Sequence, residues 1–354
     1  DSVTDASWQM TRKALEMPIF KEPWKSRYPL MNRAIAGTYP MASTFKAFTG
    51  LAGMHHGFVD AKKTWECQGT WTGFGEAYPQ SCWNLYGHGR LDFETSIYES
   101  CDITFYEIAK SFWDARGQIG DSAMQDFIKL FGYESATGID IAGEAVGRIP
   151  TPEWKAEYFK DEPEEAQWMP GDMSNMVIGQ GYVLGTCIQL AVAYGAVATG
   201  GKVVKPHLLR EVRNSDGDTV IREEGGVDRE IDLPADHVKL VTAGMKRLAD
   251  EGDVSPLLLD MNVAAKTGTA EVAGKKDQGV FAVFGPYDDP KYVVASIIEE
   301  GGAGAQSAAI ASATVMQAAL DYSEGKLKPS SSRISADYSV VEDSSSDADT
   351  ERTD

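Results

Sequence analysis

Three short motifs of hydroxyl and amine side chains occur in order along this chain, at residues 43–46 (STFK), 100–102 (SCD) and 266–269 (KTGT). Each motif alone is short enough to recur by chance, but together they supply a nucleophile, two amines and a proton relay. Those groups can act together only if the fold brings three distant segments into one cleft. The order of the motifs therefore predicts a site for acyl transfer by a serine nucleophile.

Ser43 is the candidate nucleophile of this site. A serine hydroxyl reacts only when a nearby base removes its proton, and Lys46 lies three residues further on, on the same face of a helix. An ammonium cannot accept a proton, so the pKa of Lys46 must be lowered by desolvation or by a second cation, which Lys266 could supply. The alternative is an ordinary helix N-cap at Ser43 beside a solvated Lys46.

The second motif contributes a hydroxyl and a carboxylate. Ser100 can relay a proton between the lysine and the leaving amine, and Asp102 can hold Lys46 by hydrogen bonding. The negative charge of Asp102 would also raise the pKa of Lys46, which opposes a role as base, and the sequence leaves that balance open.

The third motif, Lys266, Thr267, Gly268 and Thr269, ends an apolar strand. Gly268 leaves room for a substrate to lie along the strand edge. The backbone N–H groups of Ser43 and Thr269 would then form an oxyanion hole, in which each donor contributes roughly 3–4 kcal/mol to the transition state.

The net charge of −20, from 33 basic and 53 acidic residues, argues against nucleic acid as a partner, because a phosphate backbone needs a basic face. Part of the acidity is local, since residues 330–354 hold seven acidic and two basic residues among few apolar ones. We therefore predict an acidic disordered tail over 326–354 and an N-terminal helical segment over 1–30. No apolar run is long enough for a transmembrane helix, and no signal peptide is recognisable.

The apolar patterns predict an α+β fold. Helical patterns occur over 43–53, 93–117 and 184–200, with loops and short strands expected over 62–92. Strand signals follow in "KVVKPHLLREVR", "NVAAKTGTAEVAG", "GVFAVFGPY" and "KYVVASIIEE". Helices mixed with hairpin-connected strands indicate an antiparallel sheet with helices packed against it.

The motif set resembles that of penicillin-binding proteins and serine β-lactamases. The wider likeness, over residues 30–322, is to the transpeptidase domain of class B penicillin-binding proteins, in particular the elongation-type penicillin-binding protein 2 group. It is carried by "NRAIAGTYPMASTFKAFTG", "YGHGRLDFETSIYESCDITFYEIA", "TGIDIAGEAVGRIPTPEWK", "GQGYVLGTCIQLAVAYGAVATGGKVVKPHLLREV" and "AAKTGTAEV". The resemblance implies the penicillin-binding/serine β-lactamase-like fold over 31–325, with a helical subdomain that carries Ser43.

The resemblance also implies a function. It indicates a serine D,D-transpeptidase that cross-links peptidoglycan stem peptides ending in D-Ala-D-Ala through an acyl-serine intermediate, and β-lactams acylate the same serine. It implies no cofactor for catalysis, a glycosyltransferase of the elongation complex as partner, and a place at the extracytoplasmic face of the bacterial cell membrane. The family's anchor and pedestal are not recognisable, so we expect a trimmed domain. Asp102 stands where many members have Asn, a trait of the elongation group.

Cys67, Cys82, His88 and Cys101 offer three thiolates and one imidazole, which is a tetrahedral set for structural zinc. Their spacing lacks a C-x-x-C pair, and a Cys67–Cys82 disulfide is the alternative. The resemblance favours zinc, since some members of the elongation group carry one in this loop region with mixed Asp, His and Cys ligands. The metal would pin the loop to the helix that bears the second motif. Cys187, in an apolar helix, is predicted to be inert core.

Two other functions remain open. A serine β-lactamase or β-lactam sensor domain shares the fold and the STFK sequence, and a β-lactamase differs from a transpeptidase in hydrolysing its acyl-enzyme quickly. A non-enzymatic scaffold within an elongation complex is the third interpretation, which the intact motifs disfavour.

Overall fold

The computed structural model describes residues 31–326. The predicted N-terminal segment, residues 1–30, and the predicted acidic tail beyond Lys326 lie outside the described residues. In chain order the α-helices are α1 (Lys46–His55), α2 (Phe93–Tyr98), α3 (Asp102–Ile119), α4 (Ala123–Lys129), α5 (Pro152–Tyr158), α6 (Pro170–Val177), α7 (Cys187–Ala198), α8 (Ala235–Glu251) and α9 (Ala308–Ser323). The strands are β1 (Thr64–Cys67), β2 (Thr70–Trp71), β3 (Gln80–Ser81), β4 (Gly89–Asp92), β5 (Lys202–Val204), β6 (Glu211–Arg213), β7 (Thr219–Arg222), β8 (Val227–Glu230), β9 (Ala264–Ala270), β10 (Gln278–Gly285) and β11 (Tyr292–Ile298).

Strands β9, β10 and β11 form an antiparallel sheet in the order β11–β10–β9. Every residue of β10 is buried, because alternate side chains of the strand enter two different cores. Val280, Ala282 and Phe284 join the larger core with α7, whereas Phe281 and Val283 join a smaller core with α9. The predicted α+β class, with an antiparallel sheet flanked by helices, is confirmed.

The larger core extends from the sheet into a group of helices around α1. Helix α1 packs against α3 and α4, and α3 packs against α6. At the centre, the ring of Phe48 lies 5.1–6.0 Å from the rings of Phe45, Phe131, Tyr133 and Tyr194. These buried aromatic contacts fix α1 and the segment that precedes it, which carries the first motif.

The helix predicted over 43–53 consists of two elements. A 3₁₀ turn, Ala42–Phe45, precedes α1, which begins at Lys46. Ala42 has φ +48°, in the left-handed region that residues other than glycine rarely adopt. Its N–H donates to the Gly179 carbonyl at 2.9 Å, so a tertiary contact bends the chain into the turn. A helical sequence pattern cannot reveal a contact of that kind.

The single helix predicted over 93–117 is wrong in one respect, because the chain breaks between α2 and α3. Ser100 lies at the break with φ +52°. Its carbonyl accepts a hydrogen bond from Lys46 Nζ at 2.7 Å. The break is therefore held by a buried side chain from another helix, and the second motif lies at the N-terminal end of α3.

The other predicted elements differ less. Helix α7 and the strands β9, β10 and β11 occupy the predicted segments, and β1 to β4 are the short strands expected over 62–92. The strand predicted at "KVVKPHLLREVR" is wrong as a single unit, because it divides into β5 and β6. Pro206 lacks an N–H group, and the Asp140 carboxylate binds the N–H groups of Leu208 and Leu209 at 2.7 Å.

Gly244 allows α8 to pack closely on α2. A Cβ atom at position 244 would lie 2.5 Å from the Glu94 carbonyl oxygen and 2.7 Å from Ile97 Cβ. Gly244→Ala is therefore expected to lower the free energy of unfolding by about 1–3 kcal/mol, although alanine favours a helix. Near the exposed C-terminal end of α3, a Cβ atom at Gly117 would meet no atom within 4 Å, so Gly117→Ala should raise the free energy of unfolding by roughly 0.5–1 kcal/mol. Urea unfolding measures the free energy of unfolding of both variants. The same change in both would contradict the close packing at Gly244.

Candidate active site

The first two motifs meet at the amine of Lys46, which is fully buried. Its Nζ atom lies 2.7 Å from Asp102 Oδ1, 2.7 Å from the Ser100 carbonyl oxygen and 3.3 Å from Ser100 Oγ. The second carboxylate oxygen of Asp102 accepts a hydrogen bond from the Trp83 N–H at 2.9 Å. The lysine is thus oriented by the motif that begins 54 residues later in the sequence.

Ser43 is half-buried in the 3₁₀ turn and lines an open cleft. The Lys46 N–H donates to the Ser43 carbonyl, the i to i+3 bond that places side chains three residues apart on one side of such a turn. A buried hydrogen bond holds the turn against the core, in which the Tyr194 hydroxyl donates to the Thr44 carbonyl at 2.9 Å. A Cβ atom at Gly179 would lie 2.4 Å from the Ala42 carbonyl oxygen, so only glycine fits there.

The third motif lies in β9, against which the 3₁₀ turn packs. Gly268 is the point of contact. A Cβ atom there would lie 3.2 Å from Ala42 Cβ and 3.3 Å from the Thr44 nitrogen. The glycine of the motif therefore lets the backbone of the 3₁₀ turn that contains Ser43 approach the strand, a role beyond the room for substrate that the sequence suggested.

Lys266 is fully buried, and its Nζ donates to the Thr267 carbonyl at 3.1 Å. Burial, and then the charge of Lys46, lower the pKa of Lys266 to about 7, although the carboxylates of Asp102 and Asp253 partly oppose the shift. A large fraction of this amine is therefore neutral near pH 7. The sequence analysis gave Lys266 the role of a second cation, but in the structure Lys266 is itself an amine with a lowered pKa.

The three motifs surround one cleft of about 800 Å³, as the sequence required. Its lining includes the motif residues Ser43, Ser100, Asp102, Thr267, Gly268 and Thr269. The amines of Lys46 and Lys266 are buried, and that of Lys46 contacts the lining residues Ser100 and Asp102. Side chains that the motifs did not identify also line the cleft, among them Trp83, Gln180, Asp253, Glu271 and Asp277. Of these, only Gln180 had a usable signal, the glycines on both sides of it in "GQGY".

A second group of side chains lies beside the cleft, which one of its members, Cys82, also lines. The side-chain ligand atoms of Cys67, Cys82, His88 and Cys101 all lie within 4.8 Å of one another. His88 Nδ1 is 3.4 Å from Cys67 Sγ and 3.6 Å from Cys82 Sγ. Tetrahedral zinc, with ligands at about 2.3 Å for sulfur and about 2.0–2.1 Å for nitrogen, would separate such a pair by about 3.5 Å. The four residues therefore fit a zinc ion.

The thiols and the imidazole of this group also contact one another. All four cysteines are free in this structure, with no bond between Cys67 and Cys82. A hydrogen bond from Cys101 lowers the pKa of the Cys82 thiol and raises that of Cys101. His88 Nε2 is buried without a hydrogen-bond partner among the described residues, so the contacts of Nδ1 orient the ring. Cys187 is half-buried and donates to the Ala295 carbonyl at 3.3 Å.

Comparison with known proteins identifies relatives of this chain. Residues 8–319 match the profile of the penicillin binding protein transpeptidase domain. The peptidoglycan D,D-transpeptidase MrdA of Escherichia coli (strain K12) is 32% identical over 83% of this chain and 47% of its own length. The chain spans about half the length of the curated relatives it matches.

Solved structures with the same architecture include Pseudomonas aeruginosa PBP2 in complex with WCK 5153, with a TM-score of 0.72 and 31% identity over 85% of this chain and 65% of that one. A chain from a peptidoglycan synthase complex, described as coordinating polymerization and crosslinking, has a TM-score of 0.69 and 27% identity over 86% of this chain and 49% of its own. The penicillin-binding fold predicted from the motifs is therefore confirmed.

The buried amine of Lys266 should weaken the fold most at low pH. Its native pKa of about 7 lies below the unfolded value of about 10.4, so the native state binds fewer protons. The loss of folding free energy caused by this buried amine is therefore complete below about pH 7 and vanishes as the pH rises past about 10.4. Lys266→Met, which keeps an unbranched chain without the charge, should raise the urea midpoint by more at pH 6 than at pH 9. Lys62→Met, at an exposed lysine, is the control, and a pH-independent gain at position 266 would contradict the assignment.

Proposed function

Because the chain belongs to the penicillin-binding protein transpeptidase domain family, we propose that it is a serine D,D-transpeptidase acting on peptidoglycan stem peptides that end in D-Ala-D-Ala. The observation that carries this proposal is the convergence of the Ser43 turn, the Lys46–Ser100–Asp102 contacts and the Lys266–Thr269 strand on one cleft. The named transpeptidase activity of the curated relatives supports it.

In the proposed reaction, Ser43 Oγ attacks the carbonyl carbon of the bond between the two D-alanines. The serine proton passes to an amine of the site, and the amide bond breaks once the departing D-alanine nitrogen receives a proton. An amine of a second stem peptide then attacks the acyl-serine ester, loses a proton and frees Ser43. A β-lactam enters by the same first step, but its ring-opened product stays attached.

In this proposal the amines of Lys46 and Lys266 share the proton transfers. Lys46 is held by Asp102 and Ser100 as a donor of hydrogen bonds, so it can take the Ser43 proton only after giving one up. Lys266, with a pKa of about 7, provides an amine that is partly unprotonated at neutral pH. Ser100 Oγ, 3.3 Å from Lys46 Nζ, is placed to relay a proton toward the leaving nitrogen.

The proposed oxyanion hole consists of the N–H groups of Ser43 and Thr269. The first belongs to the 3₁₀ turn and the second to the edge strand β9, and Gly268 brings the two backbones together. Donors held in this way stabilise the charge that develops on the carbonyl oxygen without reorganising during the reaction.

We also propose that the chain works at the extracytoplasmic face of the bacterial cell membrane with a glycosyltransferase. The relative from a peptidoglycan synthase complex that combines polymerization and crosslinking supports such a partnership. Among residues 31–326, no helix has the length and apolar character needed to cross a membrane.

The thiol and imidazole cluster is proposed to hold a structural zinc ion through Cys67, Cys82, His88 and Cys101. Four protein ligands leave no open position, so the ion would contribute folding energy and no chemistry. Its ligands lie on β1, on the loop after β3, before β4 and at the start of α3, so they tie this loop region to the second motif.

The proposed function predicts a covalent adduct at Ser43. After incubation with benzylpenicillin, mass spectrometry should find the intact drug mass on the peptide containing Ser43, lost only slowly. A peptide ending in D-Ala-D-Ala should release D-alanine. Ser43→Ala should abolish both results, whereas Ser81→Ala, at another serine that lines the cleft, should leave them unchanged.

Two outcomes would replace the proposal. An adduct that turns over many times per minute would identify a β-lactamase, since fast deacylation is what separates the two activities. A folded protein that forms no adduct and releases no D-alanine would favour a scaffold without catalytic activity.

The zinc proposal predicts about one equivalent of zinc in the purified protein by elemental analysis. Cys101→Ser should lose most of the metal and lower the thermal midpoint by several degrees, because binding energy at such a site is folding energy. Cys187→Ser removes the one cysteine outside the cluster and should retain the metal. Less than about half an equivalent, with Cys67 and Cys82 oxidised to a disulfide, would refute the site.

A further inference from the structure

Two groups outside the three motifs hold Thr269 from different directions. The side-chain amide of Gln180 donates from Nε2 to the Thr269 carbonyl at 3.4 Å, and the Gly304 N–H donates to Thr269 Oγ1 at 3.3 Å. We propose that Gln180 and Gly304 are positioning residues that fix the Thr269 N–H as an oxyanion donor. This inference rests on the function proposed above.

Thr269 needs such support because of its place in the sheet. Within the described residues, β9 is an edge strand that pairs only with β10, and Thr269 is exposed one residue before the strand ends. An unpaired edge at a strand end is free to shift laterally. An oxyanion donor must lie about 2.7–3.1 Å from the developing charge, so a small shift would weaken it.

Gln180 links Thr269 to the nucleophile. Its own N–H donates to the Asn175 carbonyl at 2.9 Å, and the carbonyl of the preceding Gly179 accepts from the Ala42 N–H at 2.9 Å. Gly179 and Gly181 have φ of +73° and +65°, which side-chain-bearing residues rarely adopt. The base of Gln180 is thus fixed to the turn of Ser43, and its amide spans the cleft to β9. The contact sets the spacing between the two proposed donors.

Gly304 supports Thr269 from the loop between β11 and α9. A Cβ atom at position 304 would lie 2.2 Å from the Gly268 carbonyl oxygen and 2.5 Å from that of Val280, so this backbone rests directly on β9 and β10. The loop is itself tied down, since the Gly302 N–H donates to the Asp277 carbonyl at 2.9 Å. Any side chain at 304 would push the loop away from Thr269.

The test measures the two steps of β-lactam acylation separately, by stopped flow with a fluorescent penicillin. Gln180→Ala and Gly304→Ala should each lower the acylation rate constant at least about tenfold, part of the 10²–10³-fold effect of losing a whole donor. The dissociation constant of the initial complex should stay within about twofold, because the oxyanion forms only in the transition state. Gln306→Ala, at an exposed residue of the same loop that does not line the cleft, is the loop control and should keep a normal rate constant.

A boronic acid inhibitor gives a second readout, since its tetrahedral adduct on serine occupies the oxyanion hole. Both variants should bind it at least about tenfold more weakly. Gln180 is a half-exposed residue, so Gln180→Ala keeps the test decisive if Gly304→Ala fails to fold. Unchanged rate constants, or losses confined to the dissociation constant, would overturn the inference. Wild-type protein that is not acylated at all would instead refute the proposed function.

Discussion

Two buried amines around a single buried carboxylate are the constraint on which the rest of this structure depends. Lys46 and Lys266 are both fully removed from solvent, and Asp102 is the anion in contact with the first of them. A buried charge without a partner is costly, and two like charges in one site add repulsion. The lowered pKa of Lys266 is the physical outcome, since losing its proton relieves both terms. The same relief leaves an amine ready to accept a proton at neutral pH.

Such a site needs rigid surroundings, and the fold provides them through close backbone contacts. The sheet is covered on both faces, so β9 and β10 cannot move toward either core. Glycines then bring backbones nearer than side chains would allow, at Gly179 against the 3₁₀ turn of Ser43, at Gly268 between that turn and β9, and at Gly304 on β9 and β10. Reactive groups from three distant segments are positioned by rigid neighbours on every side.

The parts that the sequence predicted are those governed by local chemistry. The motif residues, the apolar helix α7 and the sheet strands could be identified because their patterns reflect reactivity or burial at each position. The breaks at Ala42 and Ser100 could not, because a left-handed conformation at a residue other than glycine depends on hydrogen bonds from elsewhere in the fold. The same holds for the pKa of Lys266, which is set by burial and by neighbours that only the folded chain assembles. The cluster of Cys67, Cys82, His88 and Cys101 was predictable only in part. The sequence identified its residues, but their irregular spacing did not indicate how they are arranged in space.

That cluster is also connected to the chemistry by one hydrogen bond. Cys82 precedes Trp83, whose N–H donates to Asp102 Oδ2 at 2.9 Å, and Cys101 precedes Asp102 itself. Both ends of this bond are therefore adjacent to members of the cluster, and the other carboxylate oxygen holds Lys46 at 2.7 Å. An ion shared by Cys82 and Cys101 would fix the distance between the loop and α3, and with it the direction of the carboxylate. A metal with no chemical step of its own would in this way act on Lys46, the lysine proposed to exchange a proton with Ser43.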